Sequence, residues 1–487
     1  MPEPRRVRIV IVGGGFAGIG MAIRLRARGI RDFVILERAA ALGGTWRENS
    51  YPGCACDVES LLYQFSFAQN PDWSHAFAPQ GEIWAYLQQV ADRYDIVPHC
   101  VFGQNVTGAA WDESAKRWTV TAGSTSWSAE QLILANGQLS DPVIPDLPGL
   151  STFRGRVFHS ARWDHEFVLR GKRVAVIGTG ASAIQFVPAI QPEVERLELF
   201  QRTPPWIMPR HDHPISPWRR ALFRALPVAT RMVRGLQYLR HEVLFLPFRH
   251  LAFRRVAEWI AGRHLAAQVP DPAFRARLRP HYGIGCKRIL LSDDYLPALT
   301  RPNVDLITDP ITSIVAEGVV TDDGRTRMVD AIIFGTGFRV TDPLLAPHLT
   351  GRDGRSLADA WQGSPTAYMG TTVAGFPNLF LLMGPNTGLG HSSVLLTLEA
   401  QFEHVLGVLK LLEERSARTV EPSVEAQSRY VASIDSRFAR TVWLTGGCQS
   451  WYLDRTGRNS TLWPDGVRRF RRAVTRVRPA DYRFSDA

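Results

Sequence analysis

The sequence predicts an α/β protein in which one nucleotide-binding unit is built twice, with a helical insertion in the second. Three observations carry this prediction. A strand, a glycine turn, a helix and a second strand follow one another in "RRVRIVIVGGGFAGIGMAIRLRARGIRDFVILER" (5–38). The same order returns in "KRVAVIGTGASAIQFVPAI" (172–190) and "RLELFQRT" (196–203). Basic helices then fill the region of about 205–280, before another buried strand in "DAIIFGTGF" (330–338). At 487 residues the chain exceeds what one core organises, so several domains are expected. They read as 1–145 for the first part of one Rossmann-like domain and 146–340 for a second; 341–487 returns to the first and adds a covering segment.

In the first unit Gly13, Gly15 and Gly18 give G-x-G-x-x-G directly after the strand, with Ala17 in the same turn. Two of the glycines let backbone approach a pyrophosphate, and the third lets the helix pack on the strand. The second strand ends on Glu37, 37 − 13 = 24 residues beyond the first glycine. A carboxylate there accepts from both ribose hydroxyls, which suits FAD or NAD and repels a 2′-phosphate.

The second unit offers Gly178, Gly180 and Ala183, a G-x-G-x-x-A variant, and the position equivalent to Glu37 is Arg202, since 202 − 178 = 24. An arginine here inverts the preference and pairs with the 2′-phosphate of NADPH. Thr203 adds a hydroxyl beside it. One acidic and one basic ribose site in a single chain imply FAD as resident cofactor and NADPH as hydride donor. The buried strand ending at Ala135-Asn136-Gly137 and the one in 330–338 return the chain between the domains. "FPNLFLLMGPNTGLGHSS" then reads as the last strand of the flavin domain, with a helix opening near His391.

Hydrophobic content of 45% and charged content of 21% are those of a globular chain. Five cysteines, odd in number and irregularly spaced, argue against a disulfide framework and for a reducing compartment. No second Cys/His cluster completes a ligand set around Cys54 and Cys56, so no metal is expected. Neither a secretory leader nor a membrane-crossing run is expected, and the expected location is the cytoplasm, with peripheral membrane contact open. The net charge of +11 concentrates between about Arg210 and Arg279. Basic helices carrying Trp218 and Trp259 suit peripheral contact with a membrane; a helical subdomain packed on its own protein, with a solvated arginine face, is preferred. No nucleic-acid-binding motif accompanies the charge, so no nucleic-acid partner is expected.

Two stretches remain. "GGTWRENSYPGCACDVES" (43–60) fits [AG]-G-x-W-x4-[FY]-P-[GM]-x3-D through Gly43, Gly44, Trp46, Tyr51, Pro52, Gly53 and Asp57. "FRGRVFHSARWD" (153–164) follows neither a strand nor a helix period, and fits F-x-G-x3-H-x3-W-[PD] through Phe153, Gly155, His159, Trp163 and Asp164. Both resemble the fingerprints of type I Baeyer–Villiger monooxygenases, FAD- and NADPH-dependent enzymes. Related flavin-containing monooxygenases, which oxidise nitrogen and sulfur, usually lack the Trp-Asp ending. The resemblance runs from residue 8 to about residue 464.

The resemblance implies a ketone or aldehyde and molecular oxygen as substrates, with an ester or lactone as product. It also implies that oxygen adds to the flavin C4a carbon and that the resulting peroxide stays deprotonated. Such an anion needs a fixed positive charge in a dry site, which an arginine supplies at any working pH. By the same resemblance that arginine is Arg288 in "GIGCKRILLSDDYLPAL", with Asp57 orienting it and Lys287 joining Arg202 and Thr203 at the 2′-phosphate. Gly44, Thr45, Trp46, Tyr63 and Val106 are implied along the flavin. Thr179, Gly180, Ala181, Ser182 and Gln185 are implied around the nicotinamide dinucleotide, and Trp451 over NADP and substrate. His159 is read as holding the linker by hydrogen bonds and not as an acid–base group. Asn136 departs from the usual threonine at the flavin-side return. Two other readings stay open: oxidation of nitrogen or sulfur, and an NADP-binding flavoprotein redox sensor. Trp163-Asp164 and Arg288 favour oxygen insertion beside a carbonyl.

Overall fold

The computed structural model describes residues 3–485. Strand β1 (Arg5–Val12) carries buried Val7 and then, after Arg8, the unbroken buried β-branched run Ile9, Val10, Ile11 and Val12 of a strand covered on both faces. Helix α1 (Phe16–Ala27) crosses to β2 (Phe33–Glu37), which pairs parallel with β1. Helices α2 (Thr45–Glu48) and α3 (Gln80–Arg93) precede β3 (Cys100–Phe102), the far edge beside β2. An antiparallel meander follows: β4 (Val106–Asp112), β5 (Arg117–Ala122) and β6 (Thr125–Leu134). Its last strand runs parallel to β1 on the side away from β2. Leu379–Leu381 then adds to β6, so this sheet is completed only after the chain has built the second domain. Gly18 sets the packing of α1 on β1, because a Cβ there would lie 2.0 Å from the Gly13 carbonyl oxygen.

The second sheet uses β7 (Arg156–His159), β8 (Arg173–Ile177), helix α4 (Ala183–Ile190) and β9 (Arg196–Phe200). The insertion enters through β10 (Ile207–Met208). It continues as helices α5 (Pro217–Ala225), α6 (Pro227–Val243), α7 (Leu246–Arg249), α8 (Leu251–Gln268) and α9 (Pro272–Arg277). It leaves through β11 (Leu290–Leu291), which pairs parallel with β10. Strand β12 (Val304–Ile307) precedes a small antiparallel sheet of β13 (Ile311–Val315), β14 (Gly318–Thr321) and β15 (Thr326–Met328). With β16 (Ala331–Phe334) the parallel order is β12–β9–β8–β16–β7. The α/β class with two Rossmann-like sheets is therefore as expected.

One expectation is corrected here. Residues 156–159 of the aperiodic stretch form β7, an edge strand registered Phe334↔His159 on β16. Four residues are too few to display a period, and the partner strand lies some 175 positions away (331 − 156).

The domains are locked together locally. The Tyr51 hydroxyl donates to Gln185 Oε1 at 3.0 Å, and Gln185 Nε2 donates to the Ala55 carbonyl at 2.9 Å. Gly53, at φ +77°, lets that loop approach α4: a Cβ would sit 2.6 Å from the Gln185 carbonyl oxygen. The insertion is anchored as firmly. Buried Arg234 donates to the carbonyls of Leu61, Leu62 and Gln64 at 2.7, 3.2 and 3.0 Å. His241 bridges Glu59 Oε2 at 2.7 Å and the His391 carbonyl at 2.6 Å.

Three buried imidazoles make stability pH-dependent. Burial pushes His159 down to about 4, His391 to about 3 and His404 to about 4. An unfolded chain protonates each near pH 6.5, as the folded chain does not until far lower. Their contribution is therefore intact above about pH 6.5 and is lost as pH falls through the window down to about 4, or about 3 for His391, at up to about 1.4 kcal/mol per pH unit per group. Melting curves are expected to give a Tm that drops from neutral to mildly acidic pH, with His404→Gln shallowing the drop. A Tm flat across that range would count against neutral burial.

Candidate active site

The carboxyl ends of β1, β2 and β6 open onto a cleft of about 730 Å³, within the size range of cofactor sites. Gly13, Gly15, Ala17 and Glu37 line one end. Gly13 needs its φ of +105°, and a Cβ there would lie 2.7 Å from the Ala135 carbonyl oxygen. Glu37 is fixed at the rim, accepting from the Gly14 amide at 2.7 Å and the Ala39 amide at 2.9 Å. Gly44, Thr45, Trp46, Tyr63 and Val106 line the rest of the wall. Trp46 Nε1 donates to the Tyr63 hydroxyl at 3.1 Å, and the Tyr63 ring stands edge-on to Phe16 at 5.4 Å. A backbone cradle without side chains, a carboxylate at the end of the second strand and an aromatic wall fit FAD. The helix expected near His391 begins at Val394, capped by Ser393, and Val394 and Leu395 reach the cleft.

The second site lies where β8 meets α4. Gly178 takes φ +109°, and a Cβ would meet the Gly335 carbonyl oxygen at 2.5 Å. Thr179 Oγ1 donates to the Thr203 carbonyl at 3.3 Å, tying the glycine turn to the loop that carries Arg202. Gly180 and Ala181 are exposed and Ser182 is half-buried at the turn. Arg202 is exposed and Lys287 half-buried, and neither forms an ion pair among the described residues. Burial, and then the charge of Arg202, lower the Lys287 pKa. Two cations facing each other with no acid between them fit a phosphate dianion, and hence NADPH. Ala183 is wholly buried and packs toward Gly335, and the Gln185 side chain is taken up by the interdomain clamp. Those two positions hold the turn in place, one by packing and the other through the clamp.

Arg288 joins the two sites. It lies on the cleft wall, and its Nε and Nη2 donate to Asp57 Oδ2 at 2.8 and 2.6 Å. Asp57 stands behind it, and its charge holds the guanidinium pKa above the usual value. Trp451, 43% exposed, stands at the mouth of the cleft.

The linker residues stand off the cleft wall. His159 accepts from the Ala161 amide at 3.1 Å and packs against Phe338 at 5.8 Å. Trp163 lies between Phe158 and Phe186 at 5.2 and 5.4 Å, and Asp164 pairs with Arg156. Gly155 permits contact with the Phe153 ring and the Asp330 carbonyl, which a Cβ would meet at 2.6 and 2.4 Å.

Sequence reasoning missed several groups. Tyr452 is buried against Arg288, and burial pushes its phenol up to about 12, so it stays neutral beside the guanidinium. Its one signal is its place next to Trp451. Glu59, Arg234 and His241 give no pattern because their partners lie on different segments. The cysteine expectation holds for Cys54, Cys56 and Cys100, which are free, and is corrected at Cys286–Cys448, a disulfide. A separation of 162 residues leaves no spacing to read. Among the described residues no Cys/His/Asp/Glu group is arranged to hold a metal.

Two dinucleotide sites, opposite in charge at the ribose and meeting at a pinned arginine, define an FAD- and NADPH-dependent flavoprotein oxidoreductase. The flavin-binding monooxygenase-like family model matches residues 6–353. A Baeyer–Villiger monooxygenase of Streptomyces coelicolor is 51% identical over 478 residues, 98% of this chain and 92% of that protein. One from Pseudomonas aeruginosa is 49% identical, covering 97% and 90%. A closed crystal structure of cyclohexanone monooxygenase matches with a TM-score of 0.90 at 28% identity, over 99% of this chain and 100% of that one. Oxidized steroid monooxygenase bound to NADP gives 0.87 at 31% identity, over 99% and 100%. The chain belongs to the flavin-binding monooxygenase-like family, and it is a monooxygenase of the Baeyer–Villiger type.

Proposed function

We propose that the chain takes a small ketone or aldehyde and, with NADPH and O2, inserts one oxygen beside the carbonyl to give an ester or lactone. The Arg288–Asp57 pair on the cleft wall is the observation that carries this reading. FAD would be held by Gly13, Gly15, Glu37 and the Trp46–Tyr63 wall, and NADPH by the Gly178 turn, Arg202, Thr203 and Lys287. When bound and reduced by NADPH, FAD supplies the oxygen-activating chemistry.

What this chain adds is electrostatics and shape. Arg288 presents a permanent cation where negative charge develops, and a preformed charge of that kind needs no reorganisation during reaction. Asp57 fixes the guanidinium by two hydrogen bonds to one oxygen, which sets its orientation. Tyr452, buried and neutral, packs beside Arg288, and Trp451 lines the cleft. His159 stays neutral and holds the linker between the sites without taking part in proton transfer.

The test is NADPH oxidation across linear, cyclic and aryl ketones with a thioether in parallel, products being identified by mass. Ester or lactone formed in proportion to NADPH consumed is the expected result. Sulfoxide without ester would assign the chain to heteroatom oxidation, and NADPH oxidation without any oxygenated product would point to a redox sensor.

A further inference from the structure

Helix α6 is inside out. Its buried residues are Thr230, Arg234 and His241, all polar, and the last two grip the first domain. Its outward face carries Val228, Met232, Leu236, Leu239 and Val243, each between 58% and 66% exposed. The steps of four, four, three and four residues place them in one stripe along the helix. Other helices of the insertion also carry exposed tryptophans, Trp218, 67% exposed on α5, and Trp259, 60% exposed on α8. Fourteen of the 23 exposed large apolar side chains among the described residues fall between Trp218 and Ile260. Monomeric soluble proteins seldom leave so concentrated an apolar surface without use for it.

The charge around the stripe identifies its occupant. Residues 217–268 contain ten arginines and two acids. Both acids turn inward: Glu242 accepts from the Val467 amide at 2.7 Å, and Glu258 from the Ile284 amide at 3.1 Å. Arg231 and Arg255 stand exposed beside Met232 and Val256, and Arg263 lies over the Trp259 ring at 5.1 Å. None of these three forms an ion pair among the described residues. A second copy of the chain is a poor occupant, because joining two such faces sets arginine against arginine. An anionic bilayer surface answers both features, with headgroups for the arginines and the acyl boundary for the stripe. No described helix is long and apolar enough to cross a membrane, so the contact is lateral.

We propose that the insertion docks this enzyme on an anionic lipid surface, with α6 lying in the interface. The inner face of the same helix grips residues 59–64, next to Asp57. An apolar substrate dissolved in lipid would then be delivered close to the cleft. The docking itself is independent of which substrate is oxidised.

Full-length holoenzyme would be sedimented with vesicles of phosphatidylcholine alone and of phosphatidylcholine mixed with phosphatidylglycerol. Binding is expected on the mixed vesicles at low salt, to fall on the neutral ones, and to weaken as salt screens the arginines. The double variant Met232→Glu/Leu236→Glu is expected to lose about tenfold or more of that binding. Arg231→Gln/Arg255→Gln is expected to lose about fivefold per arginine on anionic vesicles only. All four side chains face solvent, so oxidation of a water-soluble ketone should be unchanged in both variants, which separates docking from catalysis. Failure of the parent to bind mixed vesicles at low salt overturns the proposal. So does undiminished binding by Met232→Glu/Leu236→Glu, or a parent dimer in sedimentation velocity that this variant dissolves.

Discussion

Arg288→Ala is expected to cut ester or lactone formation by about 100- to 1,000-fold, the usual loss when one preorganised charge at a reacting centre is removed. FAD should stay bound, since Arg288 is one residue on a wall otherwise built from the glycine cradle and the Trp46–Tyr63 pair. NADPH oxidation should continue but uncoupled, with oxygen leaving as hydrogen peroxide. Lysine should rescue little, because a single ammonium cannot reproduce the Nε and Nη2 contacts to Asp57 while facing the cleft. Asp57→Asn should lower product formation less than Arg288→Ala, and the double variant should be no worse than Arg288→Ala alone. Product chromatography beside a peroxide assay measures all of this. An alanine variant that makes ester at the parent rate would remove Arg288 from the mechanism.

Arg202→Gln should act on a different parameter. A charge-assisted hydrogen bond to a phosphate contributes about 1.5–3 kcal/mol, so KM for NADPH should rise about 10- to 150-fold with kcat nearly unchanged. KM for NADH, which lacks the 2′-phosphate, should hardly move. Lys287→Gln should give a smaller effect in the same direction. Steady-state kinetics with both nucleotides decides the point: an equal rise for NADPH and NADH would mean that Arg202 does not read the 2′-phosphate.

The two nucleotide units were legible because their geometry is local. A glycine turn between strand and helix, and an acid or a base 24 residues on, are set within one short segment. Asp57 and Arg288 were legible only through motif resemblance, for 231 positions separate them. Tyr452, the Gln185 clamp and β7 escaped for the same reason: each is defined by a partner on a distant part of the chain. The basic helices were readable as helices, and a packed subdomain with a solvated arginine face was the preferred reading. The placement differs. Arg234 faces inward because three carbonyls of residues 61–64 await it, and aliphatic residues are left outside. Periodicity shows that a helix has two faces; only the neighbouring backbone decides which one is covered.

The Cys286–Cys448 bond also changes the topology of the chain. It closes a covalent ring spanning 162 positions, which contains β12 and β16 of the second sheet and Leu379–Leu381 of the first. A ring of that length removes conformational freedom from the denatured chain equivalent to about 5 kcal/mol in the loop-entropy description. Both sheets have strands inside it, so the ring lowers the entropy that either domain gains on unfolding. The oxidised protein should melt in one cooperative transition, and the dithiol-reduced protein at lower temperature with the two domains free to separate in calorimetry. A bond far from either nucleotide turn should thereby couple the unfolding of the two domains.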